Sequence, residues 1–198
     1  MGEKNIMITA MGDVMREAYK RGWITTRDGN CSLRRKGTDT LYITPSGVRK
    51  VTIIPETIVR IPIFKNKLIT DGLNPSGELH MHWLLQKEDK TRCVLHLHPT
   101  YTIAAMRAGW DLFELAAEFP EVHRYTKVGH NVPIHPAVSS DLAYATHDAM
   151  VSVDGAICFN IVGQEQHGVC AIGKHPWDAF EHIERLEHIC QITLASGI

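Results

Sequence analysis

Two histidines one residue apart, His96 and His98 in Val94-Leu95-His96-Leu97-His98-Pro99, have a spacing that can do chemistry. The apolar residues around them read as a strand. Strand side chains alternate faces with a period of two, so both rings project from one face. On a helix the same spacing would turn them roughly 200° apart. Paired imidazoles at the end of a strand, with Pro99 ending the ladder, make half of a metal site. Alone, the pair reads first as two partly buried, hydrogen-bonded histidines; a metal centre needs a third ligand and a base from elsewhere. His167 is the natural third ligand. It lies in the turn Gly163-Gln164-Glu165-Gln166-His167-Gly168 between two apolar segments, where Gly168 frees the backbone to bring the ring close. Three imidazoles leave a position open on Zn²⁺, as a catalytic site requires. Glu78 is the candidate base: a carboxylate in the first turn of a helix faces the positive end of the dipole, and a nearby metal would reinforce its ionised form.

The elements that must position these groups follow from periodicity. Ile6, Met7, Ala10, Met11, Val14, Met15 and Ala18 recur at helical spacing and predict an amphipathic helix over 5–21. Strands at 31–35 and 40–44 flank the Lys36-Gly37-Thr38-Asp39 turn as a hairpin. Pro55 to Ile58 reads as a helical turn, and Val59 to Phe64, with its proline, as a strand near an edge. A Gly/Pro/Ser loop from Asp71 to Gly77 opens onto a helix from about Ser76 to Gln86 carrying Glu78. After the histidine strand come helices at 100–108 and 111–119, an irregular stretch 123–136 with a short strand at 131–134, and a helix at 142–151 capped by Ser139-Ser140-Asp141. Strands at 156–162 and 169–172 precede a last helix, 177–195, with Pro176 in its first turn. The pattern predicts an α/β fold: a three-layer α/β/α sandwich around a central, largely antiparallel sheet, with residues 1–198 as one catalytic domain.

Composition excludes several classes of function. The apolar fraction of 44% and charged fraction of 22% are those of a globular protein. A net charge of -1 without a basic stripe argues against a nucleic-acid surface. Apolar runs are too short to span a bilayer, and the N-terminus lacks a signal-peptide pattern, so no membrane partner and a cytoplasmic address are expected. Five scattered cysteines with no Cys-x-x-Cys read as buried free thiols rather than a disulfide framework. Most of the 12 histidines must be bystanders, His80 and His82 among them, while His135 could line a pocket.

Three hydroxyl- and glycine-rich bends complete the picture, at Gly29-Asn30, Thr44-Pro45-Ser46-Gly47 and Ser76-Gly77. Each alone is most simply a turn, but backbone N–H groups of such bends bind phosphate oxygens without any lysine. Gly29-Asn30-Cys31-Ser32, Ile43-Thr44-Pro45-Ser46-Gly47, Pro75-Ser76-Gly77-Glu78, His96-Leu97-His98-Pro99 and Gln166-His167-Gly168 stand in the order of the class II aldolase/adducin family. The chain resembles that family over nearly its whole length.

The resemblance implies a divalent ion (Zn²⁺, or Mn²⁺ or Co²⁺) held by His96, His98 and His167. It implies a substrate phosphate bound by Gly29, Asn30, Thr44, Gly47, Ser76 and the backbone of Gly77, and Glu78 as the acid/base. The activity it implies is cleavage of a ketose 1-phosphate, fuculose-1-phosphate-like, to dihydroxyacetone phosphate and an aldehyde by metal-stabilised enediolate chemistry, in a homotetramer. Sugar-phosphate 4-epimerase, dehydratase, decarboxylase and a non-catalytic adducin-like binding module are the alternatives. Glu rather than Asp at position 78 points away from the 4-epimerases. The chain departs from the family's Ser-Ser-Glu run at Gly77, which removes a hydroxyl from the phosphate pocket and implies weaker phosphate binding or a carboxylate substrate. No tyrosine follows Tyr144. The resemblance implies a tyrosine from a C-terminal tail, as in the family's aldolases and epimerases; without a match for it, the proton donor to a leaving aldehyde is expected to be Tyr101, Tyr125 or a residue of a neighbouring subunit.

Overall fold

Alternation along two neighbouring strands decides how the molecule is layered. In β1 (Asn30–Arg34) and β4 (Arg92–Leu97) every residue is buried, so both faces of the sheet are covered. Cys31, Leu33, Cys93, Leu95 and Leu97 point into one apolar cluster, and Val94 into another. The structure, a computed structural model, describes residues 3–63, 72–87 and 92–197. Its sheet has six strands in the order β3-β2-β1-β4-β6-β5. The others are β2 (Thr40–Ile43), β3 (Val59–Pro62), β5 (Ile161–Gln164) and β6 (Gly168–Gly173). All five pairings are antiparallel. The three-layer sandwich expected from the sequence is the architecture found.

The first face is covered by α1 (Glu3–Lys20), α3 (Thr100–Arg107), α4 (Leu112–Ala117), α5 (Pro120–Tyr125) and α7 (Pro176–Ser196). Met11, Val14, Met15 and Ala18, at helical spacing on α1, are fully buried there. Each large side chain so buried contributes about 1.5–3 kcal/mol. The second face is covered by α2 (Leu79–Gln86) and α6 (Ser140–Met150). A smaller cluster of Leu41, Ile43, Val59, Ile61 and Ile63 closes the β2–β3 end.

Two caps matter for the site. Ser139 Oγ accepts from Leu142 N at 3.1 Å and starts α6. The N-terminus of α3, directly after His98-Pro99, has no side-chain cap of its own. Glu187 of α7 supplies one, its carboxylate accepting from Tyr101 N (3.0 Å), Thr102 N (2.7 Å) and the Thr102 hydroxyl (2.7 Å). The segment leaving the histidine strand is thereby tied to the longest helix.

Some boundaries differ from the expectation. The strand expected at 156–162 is formed only from Ile161 on; Ile157 makes a single bridge to Val151. The strand expected at 131–134 is one bridge, Val132 to Gln164. The stretch read as irregular from 123 is entered by α5, which Pro120 starts at its first position, using its fixed φ. The edge strand is β3 through Pro62, and Phe64 lies outside the described residues.

Candidate active site and metal centre

His96 projects from β4 on the face covered by α2 and α6, and His98 follows just past the strand's end. The hairpin joining β5 to β6 carries His167 at its tip, and β6 pairs with β4 so that Leu97 stands opposite Val169. The approach is close enough to need a residue without a side chain. A Cβ on Gly168 would lie 2.4 Å from Leu97 O and 2.7 Å from His98 Cδ2. Gly168 thus acts through its missing side chain rather than through an unusual φ; the left-handed residue of the turn is Gln166, at φ 57.

The three imidazoles offer one nitrogen each, all within 4.8 Å of one another. Ligand atoms on a tetrahedral zinc ion with bonds of about 2.0–2.1 Å lie roughly 3.3 Å apart, and the His96 Nε2 to His98 Nε2 distance is 2.8 Å. His96 Nδ1 donates to Val169 O at 3.0 Å, which leaves Nε2 with its lone pair towards the cluster. Burial, then the neighbouring rings, hold His96 well below the usual histidine range, and the same causes lower His98. Neutral imidazoles with free lone pairs are what a metal ligand set requires. The cluster fits a divalent cation.

Glu78 is the N-cap residue of α2 rather than a member of its first turn, and is 8% exposed. Its Oε2 lies 3.4 Å from His96 Nε2 and its Oε1 3.7 Å from His167 Nε2. Oε2 accepts from Asn30 Nδ2 at 3.1 Å, whereas Oε1 is buried without a hydrogen-bond partner among the described residues. One carboxylate oxygen is tied and the other faces the imidazoles unengaged. The sequence reading passed over His82, which is fully buried one turn along α2. Its Nε2 is hydrogen-bonded to Asn30 Oδ1 and its Nδ1 lies 2.6 Å from Ser32 Oγ. The signal was present. Glu78, His82 and Gln86 recur every four residues on a helix, about 6 Å apart, and Asn30, Ser32 and Arg34 recur every second residue on a strand, about 6.7 Å apart. Two polar stripes of matching pitch were waiting for each other.

Glu78, Asn30 and the three clustered histidines open into a cavity of about 220 Å³ also lined by Arg27, Asp28, Ser46, Lys50, Ala137 and Val138. Of the residues expected to bind phosphate, Gly29, Asn30, Gly47, Ser76 and Gly77 are in its wall. Thr44 is not: it is fully buried behind the wall, and its hydroxyl accepts from Cys31 N at 3.1 Å. Ser46 takes the exposed place in that bend. A lysine does reach the pocket, contrary to expectation. Lys50 lies in the 3-10 turn Lys50–Thr52, is 2% exposed, and donates from Nζ to Pro45 O at 3.2 Å. Burial lowers its pKa, partly offset by Asp28, and among the described residues no carboxylate pairs with it. At Gly77 an added Cβ would stand 3.2 Å from Val138 Cγ1. Val138, held at φ 65, occupies the space a serine there would crowd. His135 does not line the cavity; Tyr101 and Tyr125 line grooves beside α7 instead.

The same fold recurs in proteins already described. The model of the class II aldolase and adducin N-terminal domain matches residues 9–194, and the chain belongs to that family. It is 30% identical over 180 residues to the methylthioribulose-1-phosphate dehydratase of Methylococcus capsulatus, covering 85% of this chain and 83% of that protein. The dehydratase of the same name from Persephonella marina is 25% identical over 194 residues, covering 94% and 88%. Among solved structures, the L-fuculose-1-phosphate aldolase of Thermus thermophilus superposes with a TM-score of 0.78 at 22% identity, covering 96% of this chain and 94% of that one. Among the described residues no helix is long and apolar enough to cross a membrane.

Proposed function

We propose that the chain is a metal-dependent lyase that removes a proton next to the carbonyl of a ketose 1-phosphate and expels the hydroxyl beyond it as water. His96, His98 and His167 would hold the ion, Zn²⁺ in the first instance with Mn²⁺ or Co²⁺ as substitutes. When bound, it supplies Lewis acidity to the substrate carbonyl. Glu78 takes the proton through Oε1, the oxygen that Asn30 leaves free, and returns it to the departing hydroxyl. Gly29, Gly47, Ser46, Ser76 and Gly77 cradle the phosphate, with Lys50 as its counter-charge. The enzyme acts in the cytoplasm as a homotetramer.

The single observation that carries this reading is Glu78 Oε1, without a hydrogen-bond partner among the described residues, beside three clustered imidazoles, in a pocket that also contains a buried ammonium with no carboxylate partner among those residues. The names of the curated relatives favour dehydration. Retro-aldol cleavage of a fuculose-1-phosphate-like ketose, the expectation from the sequence, uses the same groups, and glutamate at position 78 favours it over epimerisation. The test supplies metal-loaded protein with methylthioribulose 1-phosphate and, separately, with fuculose 1-phosphate. Loss of one water from the first supports the dehydratase reading, and release of dihydroxyacetone phosphate and an aldehyde from the second supports the aldolase. A protein that binds no divalent metal and turns over neither would overturn both.

A further inference from the structure

Behind Glu78 the contact between α2 and β1 is polar where a core contact would be apolar. Asn30, Ser32, His82 and Gln86 are each no more than 6% exposed. Their hydrogen bonds form one line: Gln86 Nε2 to Ser32 Oγ, Ser32 Oγ to His82 Nδ1 at 2.6 Å, His82 Nε2 to Asn30 Oδ1, and Asn30 Nδ2 to Glu78 Oε2 at 3.1 Å. Buried polar groups are costly unless hydrogen-bonded, which constrains these four side chains; Gln86 Oε1, at the far end of the line from Glu78, has no partner among the described residues.

The polarity of the line follows from its last member. An ionised carboxylate only accepts, so Asn30 must present its NH₂ to Glu78 and its carbonyl to His82. His82 Nε2 must then carry a hydrogen. Burial disfavours the imidazolium, pushing the pKa to about 3, so the ring is neutral and Nδ1 is the acceptor. Ser32 must therefore donate to Nδ1, and Gln86 in turn donates to the Ser32 oxygen. Every bond points towards Glu78. The opposite polarity would turn the Asn30 carbonyl onto the carboxyl group and requires that group to be protonated.

We infer that His82, held in its Nε2–H form by Ser32 and Gln86, is a positioning residue: it fixes the Asn30 amide so that Oε2 of Glu78 is tied and Oε1 is the oxygen that moves the proton. The inference rests on the proposed role of Glu78. His82 touches neither substrate nor metal; it acts through Asn30. Without a donor at Nε2 the amide is free to turn, and the wrong face of Asn30 would repel the carboxylate.

Two measurements test it. In the unmodified protein with ¹⁵N-labelled histidine, His82 should show a protonated Nε2 and an unprotonated Nδ1 at neutral pH. An Nδ1–H ring there overturns the inference whether or not a substrate has been found. In the metal-loaded enzyme, His82→Leu should lower kcat about 10- to 100-fold, with KM within about twofold and metal content unchanged, while His82→Gln, which keeps a donor towards Asn30, recovers most of the loss. A His82→Leu enzyme with unchanged kcat, or a loss accompanied by metal release or confined to KM, overturns it. If the unmodified enzyme turns over no ketose 1-phosphate, the proposed function fails instead, and the tautomer measurement still decides for or against His82. Should His82→Leu not fold, His82→Gln against Ser32→Ala provides the same contrast, the second lacking the hydroxyl that sets the ring.

Discussion

Asn30 and His96 stand directly opposite each other in the β1–β4 ladder. Their side chains rise on the same face of the sheet, under the N-terminus of α2, and Glu78 bridges them: Oε2 is 3.1 Å from Asn30 Nδ2 and 3.4 Å from His96 Nε2. Glu78 and one ring of the histidine cluster are therefore linked through one cross-strand pair, while His167 comes from the β5–β6 turn. Glu78→Gln keeps the shape and can still accept from Asn30, but cannot take a proton. The expected outcome is full metal occupancy with turnover reduced about 10²- to 10⁴-fold. Metal analysis alongside initial rates checks it, and near-normal rates would remove Glu78 from its role.

The close approach of Gly168 to Leu97 makes a prediction that does not touch any ligand. Gly168→Ala would force a methyl group against a backbone carbonyl 2.4 Å away. The turn bearing His167 must move outward, at a cost of about 1–3 kcal/mol in folding stability. The metal should bind more weakly, as is expected when His96 or His167 itself is changed to Ala, although all three rings remain. A chelator titration of the variant against the unmodified protein reads the difference; equal metal affinity would show that the turn can relax without displacing the ring.

How much of this was legible beforehand differs between the parts of the site. The period of two in β4 placed His96 on one face and Cys93 on the other, and the structure agrees, with Cys93 in the cluster under α1 and α7. The long amphipathic α1 and α7 and the Ser139 cap were legible because each is a local signal. His82 was not, because a histidine four residues after a glutamate acquires meaning only when the strand packed beneath it is known. Lys50 was missed for a related reason: it enters the pocket from a 3-10 turn that packs against α1, where Arg16 Nη1 donates to Ile53 O at 2.7 Å. Thr44 matched a family pattern by type, but its hydroxyl is spent on Cys31 N. Residue types and spacing pointed to the three histidines that the fold brings together; the support behind them is tertiary.

Lys50 offers a direct test of the anion pocket. Burying an ammonium without a carboxylate partner is unfavourable, and an anionic ligand would reverse that balance. Inorganic phosphate should protect the unmodified chain against heat; Lys50→Met should fold as well as or better than that chain, yet lose the protection. For a phosphorylated substrate KM should rise about 10- to 100-fold, the loss of one charge-assisted hydrogen bond of about 1.5–3 kcal/mol. Phosphate protection that survives in Lys50→Met would assign the counter-charge elsewhere, with Arg27 in the same wall the next group to change.

The buried histidines also set how the metal-free protein responds to acid. His82 falls from 6.5 to about 3 because burial opposes its charge, and His96 is lowered in the same direction. The unfolded chain therefore binds more protons than the folded one between those values, and stability rises with pH across that window. The contribution is complete above about pH 6.5 and is lost progressively as pH falls towards 3. Each such group adds up to about 1.4 kcal/mol per pH unit. Urea midpoints of the metal-free protein at several values between pH 7 and 5 should fall steadily, and His82→Gln should show a shallower slope whatever its absolute stability. The slope should not vanish, because His96 still titrates against folding. Parallel lines for the two proteins would mean that His82 is protonated, or reached by water, in the folded state; a protonated ring would still donate from Nε2 to Asn30 but would also donate from Nδ1 to Ser32.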